Sequence, residues 1–153
     1  MFPANISILG KLTNNEVPVG FTHYASITAA EAVAKGSGNQ FTIGSVPPGG
    51  IVDACAVFEK VASSGTSTDV TLDVGVTSGD PDDFIDVLDI DTLVKAKYNT
   101  GDLLISSGAN YYINDTTSAV PILAEFNGTL TSAGLATGEW VIAYTLREPG
   151  EVL

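Results

Sequence analysis

Three neighbouring stretches decide the fold: VPILAEFNGT at 120–129, TSAG at 131–134 and GEWVIAYTL at 138–146. The two longer stretches are apolar and rich in residues that favour β-strands, and the short one between them consists of small turn-forming residues. This pattern is typical of a closing strand pair in an all-β domain. No group of catalytic residues accompanies it, so the pattern favours a protein that forms shape and binds surfaces.

Length and composition predict one ordered domain. The chain has 153 residues, of which 44% are hydrophobic and 16% are charged. A chain of this length can bury roughly 70% of the surface that its unfolded form exposes.

Its longest apolar stretches are far shorter than the roughly 20 residues of a membrane-spanning helix, and its amino terminus lacks the basic and apolar regions of a secretory signal. We therefore expect no membrane partner.

The charge balance argues against a nucleic-acid partner. Eighteen acidic residues stand against six basic ones, which gives a formal net charge of −12, and the basic residues do not form a cluster. Binding to a phosphate backbone needs concentrated Lys or Arg side chains that release counterions. We therefore expect this surface to repel DNA and RNA.

From residue 21 onward, short β-prone runs alternate with clusters of Gly, Pro, Ser, Asp and Asn. The alternation is cleanest at 69–76, where Val70, Leu72, Val74 and Val76 share one face. Eight or nine strands at roughly ten-residue spacing favour a jelly-roll-like antiparallel β-sandwich. The predicted strands lie at 25–29, 41–46, 51–61, 69–76, 84–91, 102–105, 111–114, 121–129 and 139–147, with one helical turn at 31–35.

The segment after residue 84 allows two interpretations. Alternation along a strand would turn Ile85, Val87 and also Leu88 inward, whereas the residues at 90–96 equally allow a short helix.

Residues 1–20 are predicted to form an extended N-terminal arm that precedes a β-sandwich domain at 21–153. The arm holds neither a helical nor a strand period, although it carries several large apolar side chains that need a surface to lie against. That surface could belong to the same domain or to a neighbour. The apolar residues of the arm are Phe2, Ile6, Ile8, Leu9 and Leu12.

The residue types that usually carry chemistry are isolated along this chain. His23 has no nucleophile motif or orienting carboxylate nearby, so we interpret it as structural or exposed. Cys55 lies between alanines in a strand-like run and is expected to behave as a small buried hydrophobe. One histidine and one cysteine cannot supply a zinc site. Trp140 is expected in the core or an interface, and we predict no catalytic residue, cofactor or metal.

An acidic cluster at 80–91 is the one feature that could hold a hard cation. Its start resembles a calcium-binding loop, but Pro81 follows the first aspartate, no glycine occupies the sixth position, and Asp91 replaces the glutamate of the twelfth. We interpret the cluster as a solvated turn, with an opportunistic divalent-cation site as the alternative. Its members are Asp80, Asp82, Asp83, Asp86, Asp89 and Asp91.

Three motifs together carry a family resemblance. They are VPPGGIV at 46–52, the run TLDVG at 71–75 followed by DPDDFI at 80–85, and the strand pair at 134–146. In this order they resemble the small capsid decoration, or cement, proteins of tailed bacteriophages. The resemblance covers residues 40–147 and leaves the arm unmatched.

The resemblance implies a virion structural protein. Such a protein is made in the host cytoplasm, binds the major capsid protein on the outer capsid surface, forms a homotrimer and bridges capsomers. For the partner contacts we predict the five apolar arm residues, Phe2, Ile6, Ile8, Leu9 and Leu12, together with the loop residue Phe84.

The alternative function is a carbohydrate-binding or receptor-binding β-sandwich module of a virion, in a tail or head fibre. Jelly rolls also serve as lectins, and sugar binding needs exposed aromatic side chains at one end of the sandwich. Only Tyr98, Tyr111 and Tyr112 are candidates for such a platform. An enzymatic function is not expected, because no nucleophile, base and orienting group can be assembled.

Overall fold

A computed structural model of the chain describes residues 21–91, 98–99 and 111–150. Nearly all of its regular structure is β-strand, arranged in two antiparallel sheets. The elements are β1 (His23–Thr28), α1 (Ala29–Lys35), β2 (Asn39–Val46), β3 (Ile51–Ser64), β4 (Thr71–Gly75), β5 (Ile85–Asp89), β6 (Tyr98–Asn99), β7 (Tyr112–Ile113), β8 (Val120–Asn127) and β9 (Thr137–Arg147).

The order of strands confirms the predicted fold class. The first sheet runs β1-β9-β3-β6, with β7 also paired to β3, and the second sheet runs β2-β8-β4-β5. The chain changes sheet at almost every connection, and only β4 to β5 and β6 to β7 stay within one sheet. This interleaving of two antiparallel layers is typical of a jelly roll. The predicted arm at 1–20 and the predicted strand at 102–105 lie outside the described residues.

The prediction that the two runs at 120–129 and 139–147 pair with each other is wrong. Strand β8 pairs with β2 and β4 in the second sheet, whereas β9 pairs with β1 and β3 in the first. The connection from Gly128 to Ala136 crosses from one layer to the other, a distance of about 10 Å between packed sheets. The two strands therefore face each other across the core instead of forming a hairpin.

The core lies between the two sheets and contains large side chains from both. Trp140 and Tyr144 of β9 and Phe126 of β8 are at most 1% exposed. The expected core or interface position of Trp140 is thus a core position. The inward alternation predicted at 70–76 is confirmed for Val70, Leu72 and Val74, which are fully buried. The fourth predicted residue, Val76, is partly buried and packs against the core.

Phe84 lies in the core, which corrects the prediction that it contacts a partner. Its side chain is fully buried, and its ring makes an edge contact with Tyr112 at a centroid distance of 5.9 Å. Its backbone N–H donates to the Val74 carbonyl, which holds the residue at the end of the second sheet. A partner protein cannot reach a side chain with no exposed surface.

A β-bulge interrupts β5 and explains a second correction. Leu72 lies opposite Leu88 and Val74 lies opposite Ile85, so two residues of β5 stand opposite Asp73 alone. The extra residue reverses the alternation, and Val87 is 63% exposed although it was predicted to point inward. Ile85 and Leu88 are buried as predicted. The start of the alternative helix at 90–96 is not helical, and its residues 92–96 lie outside the described part.

The helical turn predicted at 31–35 is confirmed as part of α1. Thr28 caps the helix, because its hydroxyl oxygen accepts from the Glu31 N–H while the Glu31 carboxylate accepts from the Thr28 N–H. Lys35 lies over the ring of Phe41 on β2 at 5.2 Å, which fastens the helix end to the second sheet. Within the described residues, no helix is long and apolar enough to cross a membrane.

Candidate interaction surfaces

The residues predicted to contact a partner do not gather into one described site. The five apolar arm residues lie outside the described part of the chain, and Phe84 belongs to the core. The aromatic platform required by the carbohydrate-binding alternative is also incomplete. Tyr111 is 49% exposed, but the ring of Tyr112 packs against Phe84, and the side chain of Tyr98 is outside the described part.

His23 and Cys55 are both structural, as predicted. His23 is buried, its ring stacks on Tyr144 at a centroid distance of 5.2 Å, and its Nδ1 lies 2.8 Å from the Thr22 hydroxyl. Cys55 is buried opposite Tyr144 in the β3–β9 ladder. Burial raises the pKa of the Cys55 thiol to about 12. The reactive thiolate is therefore suppressed at neutral pH.

Two carboxylates of the acidic cluster at 80–91 accept hydrogen bonds from backbone N–H groups. Asp83 accepts hydrogen bonds from the backbone N–H groups of Val76 and Thr77, at 2.7 and 2.9 Å, and from the Thr77 hydroxyl. Asp91 accepts from the Val70 N–H at 2.7 Å. These contacts give Asp83 and Asp91 a structural role that the interpretation as a solvated turn did not include. Among the described residues, no group of three or more His, Cys, Asp or Glu side chains is placed to hold a metal ion.

Two nearly buried carboxylates lie side by side on the outer face of the second sheet. Asp73 of β4 and Glu125 of β8 are register partners, and they are 5% and 7% exposed. The Asn127 amide donates to both of them, at 2.9 and 3.0 Å, and the Gln40 amide donates to the second Glu125 oxygen at 3.0 Å. One neutral amide therefore bridges two carboxylates, and the charge of Glu125 still opposes ionisation of Asp73.

The environment of Asp73 opposes its charge. Desolvation by burial raises the pKa of Asp73, and the nearby charges of Asp86 and Glu125 act in the same direction. Hydrogen bonds from the Val87 N–H and the Asn127 amide lower it in part. Sequence reasoning treated this aspartate only as the polar side of an alternating strand. The sequence does not show that Asp73 and Glu125 are neighbours, because strand pairing brings them together from distant positions.

Two buried polar atoms on the inner face of the first sheet have no hydrogen-bond partner in the described part of the chain. Glu59 and Trp140 lie opposite each other on β3 and β9. Within the described residues, neither Glu59 Oε2 nor Trp140 Nε1 has a partner. An unsatisfied buried polar atom costs about 1–3 kcal/mol, so this part of the core is not optimised for stability. Glu59 is 4% exposed and packs inside the sandwich.

The outer face of the first sheet carries a second apolar cluster that is separate from the main core. Its buried members share outward positions on β3 and β9, and the partly buried Phe21 and Tyr24 pack against them. The rings of Phe21 and Phe58 meet edge to face at a centroid distance of 6.2 Å. We call this the outer apolar patch, and its buried residues are Ala56, Phe58, Val141 and Ala143.

An ion pair lies beyond each end of the outer apolar patch, where β3 and β9 pair. Lys60 Nζ lies 3.2 Å from Glu139 Oε1 beyond one end, and Arg147 Nε lies 2.8 Å from Asp53 Oδ2 beyond the other. Both pairs are partly exposed, so each contributes little to the free energy of unfolding. The patch between them is therefore a bounded apolar area on a generally acidic protein.

Comparison with known proteins supports the fold assignment. No protein-family model matches the chain, and no curated protein matches its sequence. Its structure is similar to that of one chain in the solved structure "Cyanophage Pam1 capsid asymmetric unit", with a TM-score of 0.55 and 18% sequence identity. The alignment covers 96% of this chain and 99% of that chain, so the two are of similar length and share one fold throughout.

Proposed function

We propose that this protein is a structural protein of a bacteriophage head. In this role it is a decoration protein that binds the major capsid protein on the outer capsid surface as a homotrimer and braces the shell by bridging capsomers. The role is mechanical, and it involves neither catalysis nor a cofactor. The observation that carries it is the jelly-roll likeness, over nearly all of both chains, to a chain of a cyanophage capsid asymmetric unit.

The length of that matched chain supports the proposal. Both chains are covered almost completely, so the matched chain of the capsid asymmetric unit is about as long as this one. A compact domain of this kind suits attachment to a shell, because its two sheets form a self-contained core. The motifs at 46–52, 71–75 and 80–85, which resemble those of phage decoration proteins, point in the same direction.

The chemistry of the described residues is also consistent with a passive role. Asp83 and Asp91 accept backbone hydrogen bonds in turns, and Asp73 and Glu125 are held by the Asn127 amide. The formal net charge of −12 would repel packaged DNA, which favours the outside of a shell over the inside.

In the proposed mechanism, the decoration protein binds capsomers on both sides of the boundary between them. Separating two capsomers then also requires breaking their interfaces with the decoration protein. A standard interface buries about 1,600 Å², and a trimer presents three copies of the same contact at once. Repetition raises the overall affinity by avidity, so each single contact can be weak. In a closed trimer, each subunit contact joins two different patches of neighbouring copies. The apolar arm residues, such as Ile6 and Ile8, are the proposed capsid contacts.

Co-sedimentation with bare phage heads tests this function. We expect the full-length protein to sediment with heads, and the double variant Ile6→Ser and Ile8→Ser to lose most of its binding. The matched control carries Asn14→Ser and Asn15→Ser, which change polar arm residues and should bind normally. Equal binding by both variants would contradict the arm assignment, and failure of the unaltered protein to bind heads would contradict the function.

The carbohydrate-binding or receptor-binding alternative predicts a different result. A clear hit for the purified protein on a glycan array, lost on substitution of the exposed Tyr111, would favour it over the capsid role. Affinity for duplex DNA at physiological salt would argue against a place on the outer surface of the shell.

A further inference from the structure

The sequence contains one peptide bond of a type that is prone to spontaneous deamidation. Asn127–Gly128 is the only Asn–Gly pair in the chain, and Asn127 is the last residue of β8. Glycine has no side chain to hinder attack of its backbone nitrogen on the amide of a preceding asparagine. Both residues are half-buried, so neither is sealed from water. The pair therefore meets the sequence requirement for this modification.

Deamidation would convert Asn127 in two steps. The Gly128 backbone nitrogen loses its proton and attacks Asn127 Cγ, and the new N–Cγ bond closes a succinimide ring. The Cγ–Nδ2 bond then breaks, and the side-chain nitrogen leaves as ammonia with the proton that the backbone nitrogen gave up. Water next opens the ring at either of its carbonyl carbons, which leaves aspartate or isoaspartate at position 127.

The folded subunit holds the two reacting groups in separate hydrogen bonds. Both hydrogens of the Asn127 amide are donated, one to Asp73 Oδ2 at 2.9 Å and one to Glu125 Oε1 at 3.0 Å. The Gly128 N–H donates to Ser37 Oγ at 3.1 Å. Ring closure must break these contacts, because the amide has to turn toward the Gly128 nitrogen and the nitrogen has to lose its proton.

The charges beside Asn127 also oppose the reaction. Ring closure passes through a nitrogen anion and then an oxyanion, and a nearby negative charge disfavours both. Asp73 and Glu125 are 5% and 7% exposed, so solvent screens their charges weakly. Strand β5 adds the charge of Asp86, which acts on Asp73, and β2 adds only the neutral Gln40 amide. Hydrogen bonding and charge therefore act in the same direction.

We propose that Asn127–Gly128 is a deamidation site and that Asp73 and Glu125 keep it unreactive in the folded subunit. The hydrogen bonds fix the Asn127 amide, and the two charges oppose its attack by the Gly128 nitrogen. Deamidation then occurs only when this end of β8 opens or before the chain has folded. This protection belongs to the single subunit and does not depend on the proposed capsid role.

The fold requires both residues of the reactive pair. Gly128 has a φ of 112°, and a Cβ atom there would collide with the Asp69 carbonyl group. Asn127 supplies the neutral donor that joins the two carboxylates. An aspartate in its place has no amide hydrogens to donate and adds a third negative charge. Protection by the network therefore replaces a change to a less reactive pair.

Peptide mapping by mass spectrometry tests the site in the full-length protein. The protein is incubated at pH 8 in buffer and in urea, and the appearance of aspartate and isoaspartate at position 127 is followed over time. We expect the reaction to be at least about tenfold slower in buffer, because it needs local opening of the network. Equal rates in the two conditions would overturn the proposal.

Variants measured in buffer separate the network from general stability. Asp73→Ala removes one acceptor and one charge beside Asn127. Asp86→Ala removes an exposed charge but leaves both hydrogen bonds of the amide, and Gly44→Ala perturbs β2 opposite Ile122, away from this end of β8.

We expect Asp73→Ala to deamidate at least about threefold faster than either control variant. A rate no higher than in both controls would overturn the proposal. Glu125→Ala removes the other acceptor of the Asn127 amide, and it takes the place of Asp73→Ala with the same expected result if that variant does not fold.

Discussion

Phe126 and Trp140 face each other across the sandwich, with ring centroids 5.6 Å apart and an interplanar angle of 55°. They belong to consecutive strands, β8 and β9, that lie in opposite sheets. Phe126 also makes an edge contact with Phe41 of β2 at 6.1 Å. Aromatic pairs stabilise a fold beyond the free energy gained by burying their apolar surface. This cluster therefore stabilises the packing of the two sheets close to the point where the chain crosses between them.

A second contact between the layers predicts that replacing Gly44 destabilises the fold. A Cβ atom at Gly44 on β2 would collide with the hydroxyl group of Tyr144, which reaches over from β9. We expect Gly44→Ala to lower the free energy of unfolding by about 1–3 kcal/mol, as is usual for overpacking. Urea denaturation of the purified variant measures the loss.

A double-mutant cycle tests whether Tyr144 causes that loss. Tyr144→Phe removes the hydroxyl group, so Gly44→Ala should cost clearly less in this background than in the unaltered protein. An equal cost in both backgrounds would show that the Tyr144 hydroxyl is not the obstacle.

The bulge in β5 predicts a stabilising substitution. Val87 has a φ of 48°, a left-handed conformation that is unfavourable for a β-branched residue, and its side chain is 63% exposed. Asparagine tolerates this conformation, so Val87→Asn should raise the free energy of unfolding by about 1 kcal/mol. Val61→Asn is the matched control, because Val61 is 45% exposed and its φ is not positive. A similar gain in the control would refute the backbone explanation.

Asp73 and Asp69 should affect acid stability in opposite directions. The pKa of Asp73 is raised by desolvation, so its contribution to stability is full below its unfolded pKa of about 3.9 and is lost as pH rises through the folded pKa. The pKa of Asp69 is lowered by hydrogen bonds from the Thr129 side chain and backbone. Its contribution is present above the unfolded pKa and is lost as pH falls through the folded pKa.

Denaturation curves of Asp73→Asn and Asp69→Asn between pH 2 and 7 measure these contributions. Relative to the unaltered protein, we expect Asp73→Asn to gain stability as pH rises through the acid range and Asp69→Asn to lose it. A shift of the same sign in both variants would contradict the assigned environments. In Asp73→Asn, the side-chain amide oxygen can still accept from the Val87 N–H, which lies 2.6 Å from Asp73 Oδ1 in the unaltered protein.

Cys55 should resist thiol reagents until the protein unfolds. It is 1% exposed and its pKa is raised to about 12 by burial, so the folded protein holds almost no thiolate at pH 8. We expect no reaction with an aromatic disulfide reagent in buffer and one equivalent in denaturant. Rapid reaction in buffer would place the side chain at the surface.

Much of the fold follows from local patterns, because alternation and turn residues act over short distances. The inward face of Val70, Leu72 and Val74 is an example, and the capped turn of α1 is another. The arrangement of strands in space follows less directly. An apolar run such as β8 fits either sheet, so its sequence does not reveal that it lies opposite β9 instead of beside it.

The errors at Val87 and Phe84 have specific physical causes. Alternation assumes a regular ladder, but the bulge opposite Asp73 inserts one residue and turns Val87 outward. Phe84 follows a polar turn and was taken as a loop residue, whereas it closes the core beside Tyr112. The packing of Asp73 beside Glu125 also escaped prediction, because the two residues become neighbours only through sheet pairing.

Electron cryomicroscopy of bare phage heads, imaged with and without the purified full-length protein, tests the central claim most directly. The account predicts added density on the outer surface at or near three-fold positions, with three jelly rolls in each feature and contacts to more than one capsomer. Heads that show no added density at saturating protein, or density confined to the inner surface, would contradict it.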